Sequence, residues 1–237
     1  MSNIVTRTFG VDFIIFDLIF LSVWIGLLIW KKYYSPIKWG LAGWLIYIFI
    51  DYILWYRIMG SRHYTGNINP QVFFLWFCFS PGFVQFSYVI VMFEKRSRRE
   101  IIFWTLLFYC GWTITGLLSQ WIPLEDTLIR VSRDMGKGNQ RWIMGLMALL
   151  NFIIGIALVR WKKISWNDLW YIFMTGTLVE FALEFSLLAS GIRLEQGQWS
   201  PGTMLVNALI EFNCGIITMY ILWRSFSGSL RVKRADG

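Results

Sequence analysis

Nine side chains that can ionise or bond through an amide stand inside long apolar stretches: Asp17, Asp51, Gln85, Asn151, Glu180, Glu184, Asn207, Glu211 and Asn213. A carboxyl group taken out of water tends to keep its proton, and several together reinforce that tendency. Such a group can act as a general acid at neutral pH. The spacing places these residues on helical faces. Asn207, Glu211, Cys214 and Thr218 follow at steps of four, three and four, which makes one polar stripe. Thr177, Glu180 and Glu184 form another. In "WLIYIFIDYILW", Trp44, Tyr47, Asp51 and Trp55 share a face that is aromatic with one carboxylate in it. Tyr and Trp rings can stabilise a carbocation through their quadrupole. An acid beside aromatic walls suits protonation of an alkene or epoxide in a lipid-like substrate.

The elements that must position these groups are membrane spans. The chain of 237 residues is 57% hydrophobic, 19% aromatic and only 15% charged, against about 25% charged in a soluble domain. A span needs roughly 20 mostly apolar residues. Seven such stretches occur, at about 10–30, 39–59, 71–93, 101–121, 142–160, 167–190 and 202–224. They use most of the chain, so the expectation is an all-α integral membrane protein with one domain over 1–237. The one sizeable loop falls at 122–141, and no internal repeat is evident. With a rise of about 1.5 Å per residue, Asp51, Asn151 and Glu211 lie roughly 14 Å from the outer ends of their helices, Glu180 about 16 Å, and Asp17 and Glu184 near 10 Å. Gln85 comes out deeper. Carboxylates at such depth usually face a cavity between helices.

Lys and Arg set the orientation. Lys31, Lys32 and Lys38, then Lys95, Arg96, Arg98 and Arg99, then Arg160, Lys162 and Lys163, then Arg224, Arg231, Lys233 and Arg234 fall on one side. The other side has fewer, mainly Arg7, Arg62, Arg130, Arg133, Lys137, Arg141 and Arg193. The N-terminus is thus expected outside or in the lumen and the C-terminus in the cytoplasm. The membrane is the plasma membrane of a bacterium or the endoplasmic reticulum of a eukaryote. The net charge of +8 is spread through the connections, which argues for topology and against nucleic acid. "MSNIVTRTFG" carries no cleavage signal, so the first helix is expected to insert directly.

What is missing narrows the chemistry. His63 is the single histidine and falls in an outer loop, so no histidine-based metal site or His–carboxylate pair is available within the spans. No lysine within a span could hold retinal. No aspartate-rich DDxxD or DxDD motif is present. Cys78, Cys110 and Cys214 are isolated within apolar stretches and read as packing residues. No metal or other cofactor is expected.

The chain resembles the small seven-helix membrane terpene cyclases of fungal meroterpenoid and indole-diterpene pathways. The likeness rests on seven spans in a chain of this length, an outside N-terminus, Asp51 in "IYIFIDYILWY", and Glu211 in "IEFNCGIITMYILWR" with Gly215 four residues on and Tyr220 nine on. It covers the architecture of the whole chain but only these two short motifs. The family's usual order is Glu in the second span and Asp in the last; here they are exchanged, and Glu180 and Glu184 are extra. The resemblance implies that Asp51 and Glu211 protonate a terminal epoxide or alkene and steer cyclisation.

The leading expectation is therefore a metal-independent terpene cyclase acting on an isoprenoid chain. Asp51 or Glu211 would be the acid, with Glu180 and Glu184 tuning it or returning its proton. Trp44, Tyr47 and Trp55 would wall the cation. Asp17, Asn151, Asn207 and Asn213 would complete the substrate site. A second reading is a proton-coupled transporter or small-ligand receptor that uses the same carboxylates. A third is a membrane scaffold whose polar residues only bridge helices. Trp30, Trp121, Trp142 and Trp199, near span ends, read as interfacial anchors.

Overall fold

A computed structural model describes residues 4–94, 97–122, 124–125, 127–195 and 201–235. Lys95, Arg96 and Trp199 lie outside the described residues. The chain is mainly helical. Long helices run over Val11–Trp30 (α1), Pro70–Phe93 (α3), Arg98–Trp121 (α4), Gln140–Arg160 (α5) and Trp166–Ala189 (α6). The helix Tyr34–Tyr47 (α2) continues as a π-helix over Ile48–Ile58. These six are long and apolar enough to cross a membrane.

The seventh apolar stretch is not one helix. It is divided into Pro201–Ile210 (α7) and Ile216–Ala235 (α8), and Glu211 to Gly215 form the break. Asn151 of α5 makes this break tolerable in an apolar setting. Its amide donates to the Cys214 carbonyl at 2.7 Å, and its oxygen accepts from Thr218 N–H at 3.2 Å. Backbone groups freed by an interrupted helix must find such partners away from water.

The central element is α3, buried over most of its length. It starts at an Asn69 cap whose side chain accepts from Gln71 N–H at 2.8 Å, and Pro70 occupies the first turn. Helices α2 and α3 pack backbone to backbone through Gly43 and Gly82. A methyl group at Gly82 would lie 2.8 Å from the Gly43 carbonyl oxygen. Small residues permit this approach and drive much helix pairing in membranes.

An all-α architecture does not account for the connections. Four short strands form an antiparallel sheet in the order β2-β3-β1-β4: Ile4–Gly10 (β1), Arg62–Thr65 (β2), Leu128–Asp134 (β3) and Arg193–Glu195 (β4). One strand precedes α1. The others lie between consecutive long helices, so all four gather at one end of the bundle and cap it. The stretch expected to be the main loop holds β3, and His63 lies exposed on β2. The physical reason is alternation. In β3, Ile129, Val131 and Arg133 are buried while their neighbours face outward, and a period of two is a strand signal. Trp121 and Trp142 are exposed at the sheet end, and Trp30, Trp161 and Trp166 at the other, as in the aromatic belts of membrane proteins.

Candidate functional site

Each strand of the cap contributes one arginine to the face turned toward the helices. Arg62 of β2 stands opposite Arg133 of β3, and Arg7 of β1 stands opposite Arg193 of β4. Val5 joins the two halves: it faces Arg133 across the β1–β3 ladder and lies two residues from Arg7 on its own strand. Since directly paired and alternate residues share a face, the four guanidinium groups point the same way.

Four carboxylates rise to meet them. Arg62 pairs with Asp51 and Arg193 with Glu184. Arg133 pairs with Glu211 at 2.5 Å. Asp51 lies in the π-helical segment and Glu211 in the break between α7 and α8. Both acids thus sit where regular α-helix gives way, a common feature of functional sites. Pairing offsets the cost of desolvating each charge.

Arg7 and Glu180 remain. Arg7 has no hydrogen bond or ion pair among the described residues; its guanidinium carbon lies 5.5 Å from the Phe77 ring centre. Burial lowers its proton affinity below the ordinary arginine value, and the like charge of Arg133 adds to this. Burial acts on Arg133 in the same direction, but the nearby carboxylates, Glu211 first and then Asp51 and Glu180, together hold it above the ordinary value. Glu180 accepts from the Gln85 amide at 3.3 Å, and Gln85 in turn accepts from the Tyr47 hydroxyl. Gln85 therefore joins the carboxylate group through Glu180.

The other expected site residues are placed as follows. Asp17 accepts from Trp76 and Ser80, at 2.8 Å each. Asn213 donates to Thr177 at 2.8 Å and to the Leu209 carbonyl at 3.0 Å. Asn207 is fully buried, and neither amide atom meets a partner among the described residues. Trp55 lies beneath Arg62 and Arg133. Trp44 instead donates to the Leu75 carbonyl and packs on Phe79, and Asn151 serves the helix break.

A small, partly open pocket of about 20 Å³ lies below β1. Arg7 and Ser80 are its polar groups; Phe13, Trp76, Phe77 and Trp112 supply aromatic wall. Leu183 and Leu187 close it from α6, one turn and two turns beyond Glu180. Asp17 stands behind this wall, holding Trp76 and Ser80.

Glu180, Glu184 and Glu211 each bring one oxygen within 4.8 Å of the others. That spacing suits a divalent cation, but guanidinium groups already neutralise Glu184 and Glu211. The trio is better described as part of the ion-pair cluster.

The arginines are what sequence reasoning missed. They read as topology charges, because each lies in a connection far from any span centre. The signal was the alternation in "NIVTRTFG" and "TLIRVSRD", where arginine falls in step with apolar residues.

Comparison with known proteins finds no matching family model, no matching curated protein and no matching solved structure.

Proposed function

We propose that this chain is a membrane-embedded enzyme that protonates an isoprenoid-like lipid and closes a ring on it, with Glu180 as the proton donor and, as the carboxylate left by that transfer, the base that takes a proton back from the final cation. The observation that carries this reading is the division of labour among the acids. Asp51, Glu184 and Glu211 are each bound to a guanidinium group. Glu180 is bonded by a neutral amide through one oxygen, which leaves the other to carry a transferable proton. The paired anions would offset positive charge developing nearby, and neighbouring ring faces would line the cation's path. This moves the acid from Asp51 or Glu211 to Glu180.

The capped end is read as the outer face. Arg7, Arg62, Arg133 and Arg193 turn toward the helices, so they count little as free topology charges. The excess of Lys and Arg at the opposite end then becomes larger.

The test is incubation of purified protein with linear polyprenyl alcohols, quinones and their epoxides. The expected result is a product of unchanged mass and new retention time, lost in Glu180→Gln. Full turnover by Glu180→Gln would remove that residue from the role.

A second reading is a proton-coupled transporter, favoured by the interruption of the last span at Glu211. Broken helices at a buried ion site are common in transporters. Proton-dependent uptake into vesicles, with the ligand recovered chemically intact, would establish it instead.

A further inference from the structure

We propose that the neutral isoprenoid-like chain enters from the bilayer and is bound along a seam between the π-helical segment Ile48–Ile58 and α7, with Arg133 as the latch across it. This rests on the reading above, since it names where the same substrate lies on its way to Glu180.

The seam follows from how the helices pack. Round the central α3, α2 packs on α1, α1 on α4 and α4 on α6, and α6 carries α5, α7 and α8. The ring stops there. Among the described residues the π-helical segment rests on α3 and β2, and α7 on α6 and α5, without extensive packing between the two. The seam is tied at both ends. Trp39 meets Phe226 at 6.3 Å between ring centres at the inner end. At the cap, Gln140 donates to Ser61 at 2.7 Å and Lys137 to the Gly60 carbonyl at 3.0 Å. Between these ties Arg133 bridges the banks. It pairs with Glu211 at 2.5 Å, just past α7, and its guanidinium carbon lies 4.6 Å from the Trp55 ring centre on the π-helical segment. Glu180 is more deeply buried than Glu211 and has a carboxyl oxygen within 4.8 Å of it. The latch therefore stands between the seam and the acid.

The lining decides what fits. Phe86 of α3 floors the seam, its ring centre 6.4 Å from that of Tyr47 on one bank and 5.5 Å from that of Phe212 on the other. Its neighbour Gln85 bonds both Tyr47 and Glu180, so this floor leads to the acid. The charges along it are matched, Asp51 by Arg62 and Glu211 by Arg133. A charged head group would have to break one of these pairs, whereas a neutral unsaturated chain meets ring faces. The pocket below β1 has room for about one water molecule, so the chain itself is not housed there. Tyr47, Trp55 and Phe86 are each half-buried, which leaves this lining open to a lipid from the side.

The experiment uses purified full-length protein in nanodiscs of neutral phospholipid, with farnesol carrying a diazirine in its chain. After irradiation, adducts are mapped by mass spectrometry with and without excess unlabelled farnesol. Adducts lost to the competitor should fall on Tyr47, Trp55, Phe86 and Phe212. Those on the lipid-facing sides of α1 and α4 should persist, because bulk lipid contact does not saturate. Competitor-sensitive adducts between any other pair of helices or on the cap, or none at all, would overturn the proposal, and the wild type alone decides this. Arg133→Lys keeps a cation for Glu211 but loses the planar group that lies over Trp55. Competitor-sensitive labelling of Gln85 and Glu180 should then rise, and unchanged labelling there would overturn the latch. Binding needs no chemistry, so the two readings fail separately. Seam adducts with no turnover in any form would keep the groove and remove the cyclase, and an isomer formed with adducts elsewhere would do the reverse.

Discussion

Arg62 and Arg133 face each other across neighbouring strands, and both guanidinium groups lie over the indole of Trp55, at 5.3 and 4.6 Å from its ring centre. Like charges directly opposite on a sheet repel. Here each has its own carboxylate, Asp51 or Glu211, and the shared ring face offers further attraction. Trp55 belongs to the π-helical segment that also carries Asp51. One helical segment thus supplies both the acid and the aromatic surface that seat the β2–β3 half of the cap.

Replacing Trp55 separates these contributions. Trp55→Leu removes the ring quadrupole from two cations along with part of the bulk, whereas Trp55→Phe keeps a ring. A cation–π contact is worth about 0.5–2 kcal/mol according to its burial, so Trp55→Leu should cost about 1–3 kcal/mol. Trp55→Phe should cost less. Thermal unfolding in detergent reads both. Equal loss in the two variants would assign the role of Trp55 to packing.

Arg133 and Glu211 should behave as a unit. Removing either partner leaves an uncompensated buried charge, which costs about 3–5 kcal/mol. Arg133→Met and Glu211→Gln should each lower the unfolding midpoint sharply, and the double variant should lose much less than the sum. A double-mutant cycle measures the coupling. Strict additivity would show that the two side chains do not hold one another.

Gly82 tests the seat of Tyr47 and Gln85. The α2–α3 approach leaves no room for a Cβ against backbone atoms of Gly43 and Trp44, and backbone does not yield as a flexible side chain does. Gly82→Ala should push the helices apart and lower stability by about 1–3 kcal/mol. If Glu180 works as proposed, turnover should fall as well, because Tyr47 and Gln85 reach it across that interface. A variant of unchanged midpoint would mean that the pair accommodates the methyl group.

The spans were legible because apolar length is a strong signal, and their limits agree with the helices to within a few residues except in the second and last. The last failed because hydropathy does not report a break. "LIEFNCGII" stays apolar enough to pass as helix, while Asn151, far away in sequence, supplies the bonds that let it open. The acids were legible for the same reason the arginines were not. Glu180 and Glu211 interrupt long apolar runs, whereas Arg7 and Arg193 sit in connections where arginine is ordinary. That they converge follows from strand pairing between segments nearly 190 residues apart, which no local pattern encodes.

The helix break itself yields a sharp test at Asn151. Its amide donates to the Cys214 carbonyl at 2.7 Å, and its oxygen accepts from the Thr218 N–H at 3.2 Å. Asn151→Leu fills similar volume but leaves both backbone groups without their partner in an apolar setting, at about 1–3 kcal/mol for each group. Stability should therefore fall by more than a lost side-chain contact explains. The break should also open more often. Cys214 is half-buried, Cys78 is buried and Cys110 is exposed, so maleimide labelling in a Cys110→Ser background reports on residue 214. Labelling should be faster in Asn151→Leu and unchanged in a Trp30→Phe control, an exposed residue at the end of α1. Equal labelling rates with and without Asn151 would show that the interruption at Glu211 holds its shape unaided.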